Sequence, residues 1–158
     1  MTKVNKEELL KDLEKEFEKI KKKLGFKSSF DDIDRIFFIK ELILLRGYVS
    51  PDLSRQIRNG IIDIYYSWIN YLQSFIIPNP NSVINLMEAK MINGDDKKRI
   101  SDIIKKFAYL ASFGNIITLS KDKKQESDFI DLSVEKWNDY FKQDLTNIMK
   151  KINEGWKN

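Results

Sequence analysis

The chain has 158 residues, no histidine, no cysteine and a formal charge of +4. That composition excludes imidazole bases, thiolate nucleophiles, disulfides and the nitrogen and sulfur ligands of the common zinc, haem and iron–sulfur sites. At 42% hydrophobic and 33% charged residues, with 6 glycines and 3 prolines, it reads as a single globular domain over 1–158, built from long elements and large enough to bury a core.

The first element is a helix from Asn5, which with Glu8 forms a capping-box pattern. Leu10, Leu13, Phe17, Ile20 and Leu24 follow at 3,4,3,4 spacing, and Gly25 stops the helix. Ser29 and Asp32 open a second helix over Phe30–Arg46. It is apolar around most of its circumference and is expected to be the central buried element, ended by Gly47. Ser50-Pro51 starts the third, with Ser50 as cap and Pro51 at the first helical position. Its apolar phase (Leu53, Ile57, Ile61, Ile64, Trp68, Leu72, Phe75) runs across Asn59-Gly60, so one helix is expected up to the stop at Pro78 and Pro80.

A short helix follows with Val83, Leu86, Met87 and Met91, capped by Asn81 or Ser82. The next carries Ile100, Ile103, Ile104, Phe107, Leu110 and Ala111 and is expected to stop near Gly114. From Ile130 to Ile152 apolar residues recur about every 3.7 positions. This predicts a long C-terminal helix from about Asp122 to Glu154, capped by Ser120. The fold expected is therefore all-α, a bundle of about six helices. The alternative is a winged-helix hairpin at about 115–133, with strands Ile116–Leu119 and Phe129–Leu132 and Ser133 capping the last helix. Gly114-Asn115-Ile116 and Leu132-Ser133 resemble the ends of the wing in small bacterial and archaeal regulators.

One further stretch carries a resemblance. Arg58-Asn59-Gly60-Ile61-Ile62-Asp63-Ile64-Tyr65 resembles the Arg-Asn-x-x-x-His-x-Tyr signature of HEPN helical domains, with Asp63 at the histidine position. The resemblance spans about 20 residues. It implies a helical scaffold without that family's catalysis, because a carboxylate neither donates like an imidazolium nor serves well as a base at neutral pH.

The remaining chemistry is sparse. Asp31-Asp32 and Asp95-Asp96 sit at helix N-termini, where acids complement the dipole. Glu88 and Asp102 are the pair considered for an oxygen-only cation site, but no metal or other cofactor is expected. No phosphate-binding glycine loop or nucleophile elbow occurs.

The function expected is a non-enzymatic interaction module: an adaptor, assembly subunit or small regulator that binds a protein partner or itself. Tyr66, off the buried stripe, and Trp156, near the C-terminus, are the candidate partner contacts. The rival is a nucleic-acid-binding regulator using Lys97, Lys98, Arg99, Lys105 and Lys106. A degenerate HEPN-like domain stands third. The first residues, MTKVNKEELL, lack an apolar signal region, and no apolar run is long enough for a bilayer. A cytoplasmic location without membrane contact is the expectation.

Overall fold

A computed structural model describes residues 5–158. Among them every regular element is helical: α1 (Lys6–Leu24), α2 (Phe30–Phe37), α3 (Ile39–Arg46), α4 (Leu53–Ile76), α5 (Val83–Met91), α6 (Gly94–Ser120), α7 (Lys123–Lys136), a π-helical segment (Trp137–Phe141) and α8 (Lys142–Lys157). The fold is all-α, with α7, the π segment and α8 forming the long C-terminal helix expected from the apolar spacing. The residues 115–133 are helical apart from the turn at 121–122, so no wing exists. No helix is long and apolar enough to cross a membrane among the described residues.

The chain groups into two compact units. One comprises the residues up to Asp63 with Phe113–Glu135; the other comprises Ile64–Ser112 with Lys136–Asn158. In the first unit, α1 buries Leu9, Leu13 and Phe17, while Leu10, Ile20 and Leu24 stay half-buried. Phe17 meets Phe26 and Phe30 edge-on, with ring centroids 5.5 and 4.9 Å apart. Asn5 caps α1 by accepting from the Glu7 N–H at 3.1 Å. The loop after α1 is tied down by Asp131 on α7, which accepts from the Lys27 and Ser28 amides and the Ser28 hydroxyl.

The expected helix Phe30–Arg46 is two helices. Phe38 adopts a left-handed conformation with φ 54°, ending α2 and opening α3. The break is supported by Asp34: its backbone carbonyl accepts the Phe38 N–H and its carboxylate accepts the Lys40 N–H at 2.7 Å. A side chain that caps the next helix can thus offset a φ that costs a non-glycine residue about 1–2 kcal/mol. The break leaves Phe38 and Leu45 exposed and Leu42 half-buried, while Ile33, Ile36, Phe37, Ile39 and Ile43 form the buried face. Among the described residues it gives seven helical bodies, counting the C-terminal helix as one, in keeping with the about six expected.

Two glycines inside helices mark close contacts, Gly60 where one continuous helix is expected and Gly114 where a stop is expected. Gly60 lies inside α4, where a Cβ would stand 2.9 Å from Leu42 Cδ2 and 3.3 Å from Ile39 Cδ1. Gly114 lies inside α6, where a Cβ would meet Ile62 Cδ1 at 2.6 Å and Phe129 Cζ at 3.1 Å. Helix α6 therefore runs on to Ser120, because Gly114 serves close packing. Two caps also shift by two residues from their expected places. Asp52 opens α4, which begins after Pro51, and Asp122 opens α7, accepting from the Lys124 and Gln125 amides, after Lys121 turns at φ 56°.

In the second unit the core is aromatic. Phe107 stacks on Phe141 at 4.0 Å, and Tyr65 lies 5.2 Å from Phe107. The π segment is marked by the Lys142 N–H bonding the Trp137 carbonyl, five residues back. Trp137, half-buried, and Phe141, buried, lie four residues apart and so share one side of the helix. Asp96 at the start of α6 pairs with Lys151 of α8 at 2.5 Å.

Ile43 is fully buried on α3 and Leu45 is 86% exposed two residues on. Ile43→Asp is therefore expected to unfold the protein or cost about 3 kcal/mol or more, since the carboxylate has no partner there. Leu45→Asp is expected to lie within about 0.5 kcal/mol of wild type. Urea denaturation of the two variants checks the assignment of faces.

Candidate functional sites

Two places concentrate side chains with more than a packing role. The first belongs to the first unit and joins the start of α4 to the start of α7. Arg58, 3% exposed, and Glu126, 1% exposed, face each other with Arg58 Nη1 3.3 Å from Glu126 Oε1. The pair is close but poorly aligned. Arg58 Nε and Glu126 Oε1 are buried without a hydrogen-bond partner, and Arg58 Nη2 reaches Asn59 Oδ1 at 3.3 Å. The second carboxylate oxygen, Oε2, is satisfied by Lys123 Nζ at 2.8 Å and by the Ser54 hydroxyl at 3.3 Å. Lys123 also holds Asp52 at 2.5 Å.

Asp52, Arg58, Lys123 and Glu126 line a cleft of about 250 Å³ with Arg55, Ile117, Thr118 and Lys121. Four cations stand there against two carboxylates. A neighbouring cleft of about 230 Å³ shares Asp52 and Arg55 and adds Arg46, Tyr48, Ser50, Gln56 and Asn59. The Gln56 Oε1 accepts from the Ser50 N–H, while its Nε2 is buried and unpartnered.

Burial pushes the Asp52 carboxyl up, but Lys123, with help from the Arg55 amide and the Ser54 hydroxyl, outweighs it and holds the pKa below its ordinary 3.8. Burial likewise pushes Lys123 down, and Asp52 and Glu126 outweigh it and hold the ammonium above its ordinary 10.5. The signs follow from linkage. The Asp52 contribution to stability is present above pH 3.8 and is lost as pH falls through the depressed value. The Lys123 contribution is present below pH 10.5 and is lost as pH rises through the raised one. Asp52→Asn is thus expected to be destabilising at pH 7 and progressively less so as pH falls below 3.8 and through the depressed value, measured by urea midpoints across the acid range.

The second place belongs to the second unit. Trp68 of α4 and Trp137 of the π segment, with ring centroids 6.5 Å apart, floor a groove of about 370 Å³ with Leu145 and Met149 of α8. Along α8 two rows at four-residue spacing line it. Leu145, Met149 and Asn153 form the inner row, and Lys142, Thr146 and Lys150 the outer row. No lining residue is acidic.

The sequence-derived candidates fall elsewhere. Lys98, Arg99, Lys105 and Lys106 are exposed on α6 and Lys97 is half-buried. Lys98 and Lys105, like Arg99 and Lys106, lie seven residues apart and so share a face. Asp95 and Asp102 are exposed on the same stretch, and Lys106 Nζ sits 4.1 Å over the Tyr140 ring. Tyr66 is 45% exposed. Trp156 is 44% exposed, but its Nε1 donates to the buried Glu88 at 3.1 Å. Trp156 thus folds back to fasten α8 to α5, beside Gly155, where Met91 Sδ would lie 2.5 Å from a Cβ. Glu88 also takes a hydrogen bond from Tyr71, whose hydroxyl is pushed up by burial and by that carboxylate. Glu88 is therefore engaged internally and does not pair with the exposed Asp102; no group of three or more metal-ligating side chains converges among the described residues. Arg58 of the HEPN-like stretch pairs with Glu126, while Asp63 is exposed.

No family model, curated protein or solved structure matches this chain.

Proposed function

We propose that the chain is a non-enzymatic helical interaction module whose second unit seats an acidic amphipathic helix from a protein partner in the Trp68–Trp137 groove. The observation that carries this reading is the groove's lining. Two tryptophans, Leu145 and Met149 offer apolar area, Lys142 and Lys150 edge it, and no carboxylate opposes them. Half-buried tryptophans are the side chains that most often dominate binding energy at an interface. The volume matches a pocket for a few side chains rather than a flat patch. Lys142 and Lys150 stand two helical turns apart, about 12 Å along α8. They complement a helix carrying carboxylates at the same separation beside its apolar stripe.

A second exposed apolar surface agrees with the same class of function. On α5 Val83, Ile84 and Met87 are 71, 59 and 45% exposed, and Ile77, just after α4, is 76% exposed. The rival, nucleic-acid binding, has the in-register Lys98/Lys105 and Arg99/Lys106 pairs in its favour. Asp95 and Asp102 interrupt that field, so binding to random duplex is expected to be weak and to vanish with salt. Sub-micromolar, sequence-selective binding at physiological salt, lost on reversing the five charges, would put the nucleic-acid reading first.

The groove is tested by its own fluorescence. An acidic amphipathic peptide with Glu two turns apart is expected to shift tryptophan emission in a saturable titration. The same peptide with Lys for Glu is not. The double change Lys142→Glu with Lys150→Glu, both on exposed positions, is expected to weaken binding roughly tenfold, about 1.4 kcal/mol for two surface pairs. Equal response to acidic and basic peptides, or none to either, removes the assignment.

A further inference from the structure

We propose that the cleft between the starts of α4 and α7 binds a phosphoryl group, as inorganic phosphate or a phosphate monoester. The argument begins with an imbalance inside the cleft. Arg58 and Glu126 are both more than nine-tenths buried, yet Arg58 Nε keeps a proton that no acceptor takes and Glu126 Oε1 keeps a lone pair that no donor uses. Leaving such groups unsatisfied is costly, and more so when they are charged. Both residues line the same cleft, and the needs of their unpaired atoms are opposite. A ligand that satisfies both must present an acceptor and a donor within one small group.

A monoprotonated phosphoryl group does so. Its charged oxygens accept from the guanidinium, and its P–OH donates to the carboxylate. A carboxylate ligand has acceptors only and would leave Glu126 Oε1 facing another anion. A neutral amide has both functions but makes no use of the surrounding charge. That charge is positive: Arg55 and Lys121 are exposed at the cleft and are not engaged by Glu126. Lys123 is occupied by Asp52 and Glu126, so it sets the position of the carboxylate rather than meeting the ligand. The Thr118 side chain, also lining the cleft, adds a hydroxyl. The space of about 250 Å³ holds a phosphate with a few further atoms and no large base or sugar array.

The class of ligand is fixed by the donor–acceptor pair, and that pair also supplies the test. Sulfate has the size and shape of phosphate but carries no proton near neutrality. Binding of inorganic phosphate is measured at pH 6.5 by ³¹P line broadening and by the rise in melting temperature, against sulfate at equal ionic strength. Phosphate is expected to broaden and to stabilise, and sulfate to do so at least tenfold more weakly. Arg55→Glu with Lys121→Glu, both at exposed positions, is expected to abolish the phosphate response while leaving the melting temperature without phosphate unchanged. Glu126→Gln, which keeps the size but turns an acceptor into a mixed group, is expected to narrow the gap between phosphate and sulfate. Equal weak effects of the two anions that disappear with added chloride, or no response to phosphate at all, overturn the proposal. A response that survives the double charge reversal places the anion elsewhere and overturns it as well.

Discussion

A guanidinium and a carboxylate buried opposite one another set the terms for the first unit. Taking Arg58 and Glu126 out of water costs several kcal/mol per ion after relaxation, and their attraction returns this only when other groups complete the pair. Lys123 and Ser54 complete one side of it, on Glu126 Oε2. That requirement fixes where α7 must start. Glu126 reaches Arg58 only if Asp122 caps a helix whose first turn carries Lys123 beside Glu126, three residues apart. The left-handed Lys121 between α6 and α7 is the corner that allows it. Asp131, one and a half turns further along α7, then holds the loop after α1 through its amides. The polar pair thus registers three segments that apolar burial alone, being non-directional, would leave free to slide.

The same pair explains why one stretch read ambiguously. In the sequence, Lys123, Lys124, Gln125 and Glu126 form part of a charged run between two short apolar runs, which is what a hairpin turn would look like. Nothing local shows that Glu126 is among the most buried residues of the chain. Its partner lies 68 positions away on another helix, and only the fold brings them together. The apolar residues on either side were more informative. Ile130, Val134, Phe141, Leu145, Ile148 and Ile152 are all buried, at the spacing that predicted one long helix. Periodicity was sufficient there because it reports a face, and a face survives a local change of pitch such as the π segment.

Breaks were harder to read than faces, for a reason that Phe38 and Gly114 illustrate from opposite directions. Glycine is the residue expected where a helix stops, and phenylalanine the residue expected within one. At Gly114 the missing Cβ is used for a close approach of Ile62 and Phe129, and the helix continues. At Phe38 the chain turns left-handed despite the side chain, because Asp34 answers the freed amide of Lys40. In each case the decisive partner is a side chain elsewhere, while propensity reports the residue alone. The candidate sites follow the same division. The exposed lysines of α6 were visible as composition, whereas the polar cleft and the tryptophan groove needed geometry. Trp137 lines the groove from a π segment that apolar spacing does not announce.

The two sites also differ in what holds them ready. In the groove of the second unit, Trp137 and Phe141 are set by one π turn, and Phe141 is locked by its stack on Phe107. The groove's wall is thereby fixed to a rigid aromatic core, and little ordering is left for a partner to supply. For the proposed partner helix this would lower the cost of association, since a preorganised surface leaves less to order on binding. The polar cleft is held by charge instead. Lys123 is pulled in opposite directions by burial and by two carboxylates, and the carboxylates prevail. The ammonium bonds Glu126 Oε2 while Oε1 faces Arg58 Nη1 at 3.3 Å, and Arg58 Nε and Glu126 Oε1 are left without hydrogen bonds. On the phosphoryl proposal, such a cleft would select through what it leaves unpaired, since a ligand lacking one of the two complementary functions would forfeit the gain on entry.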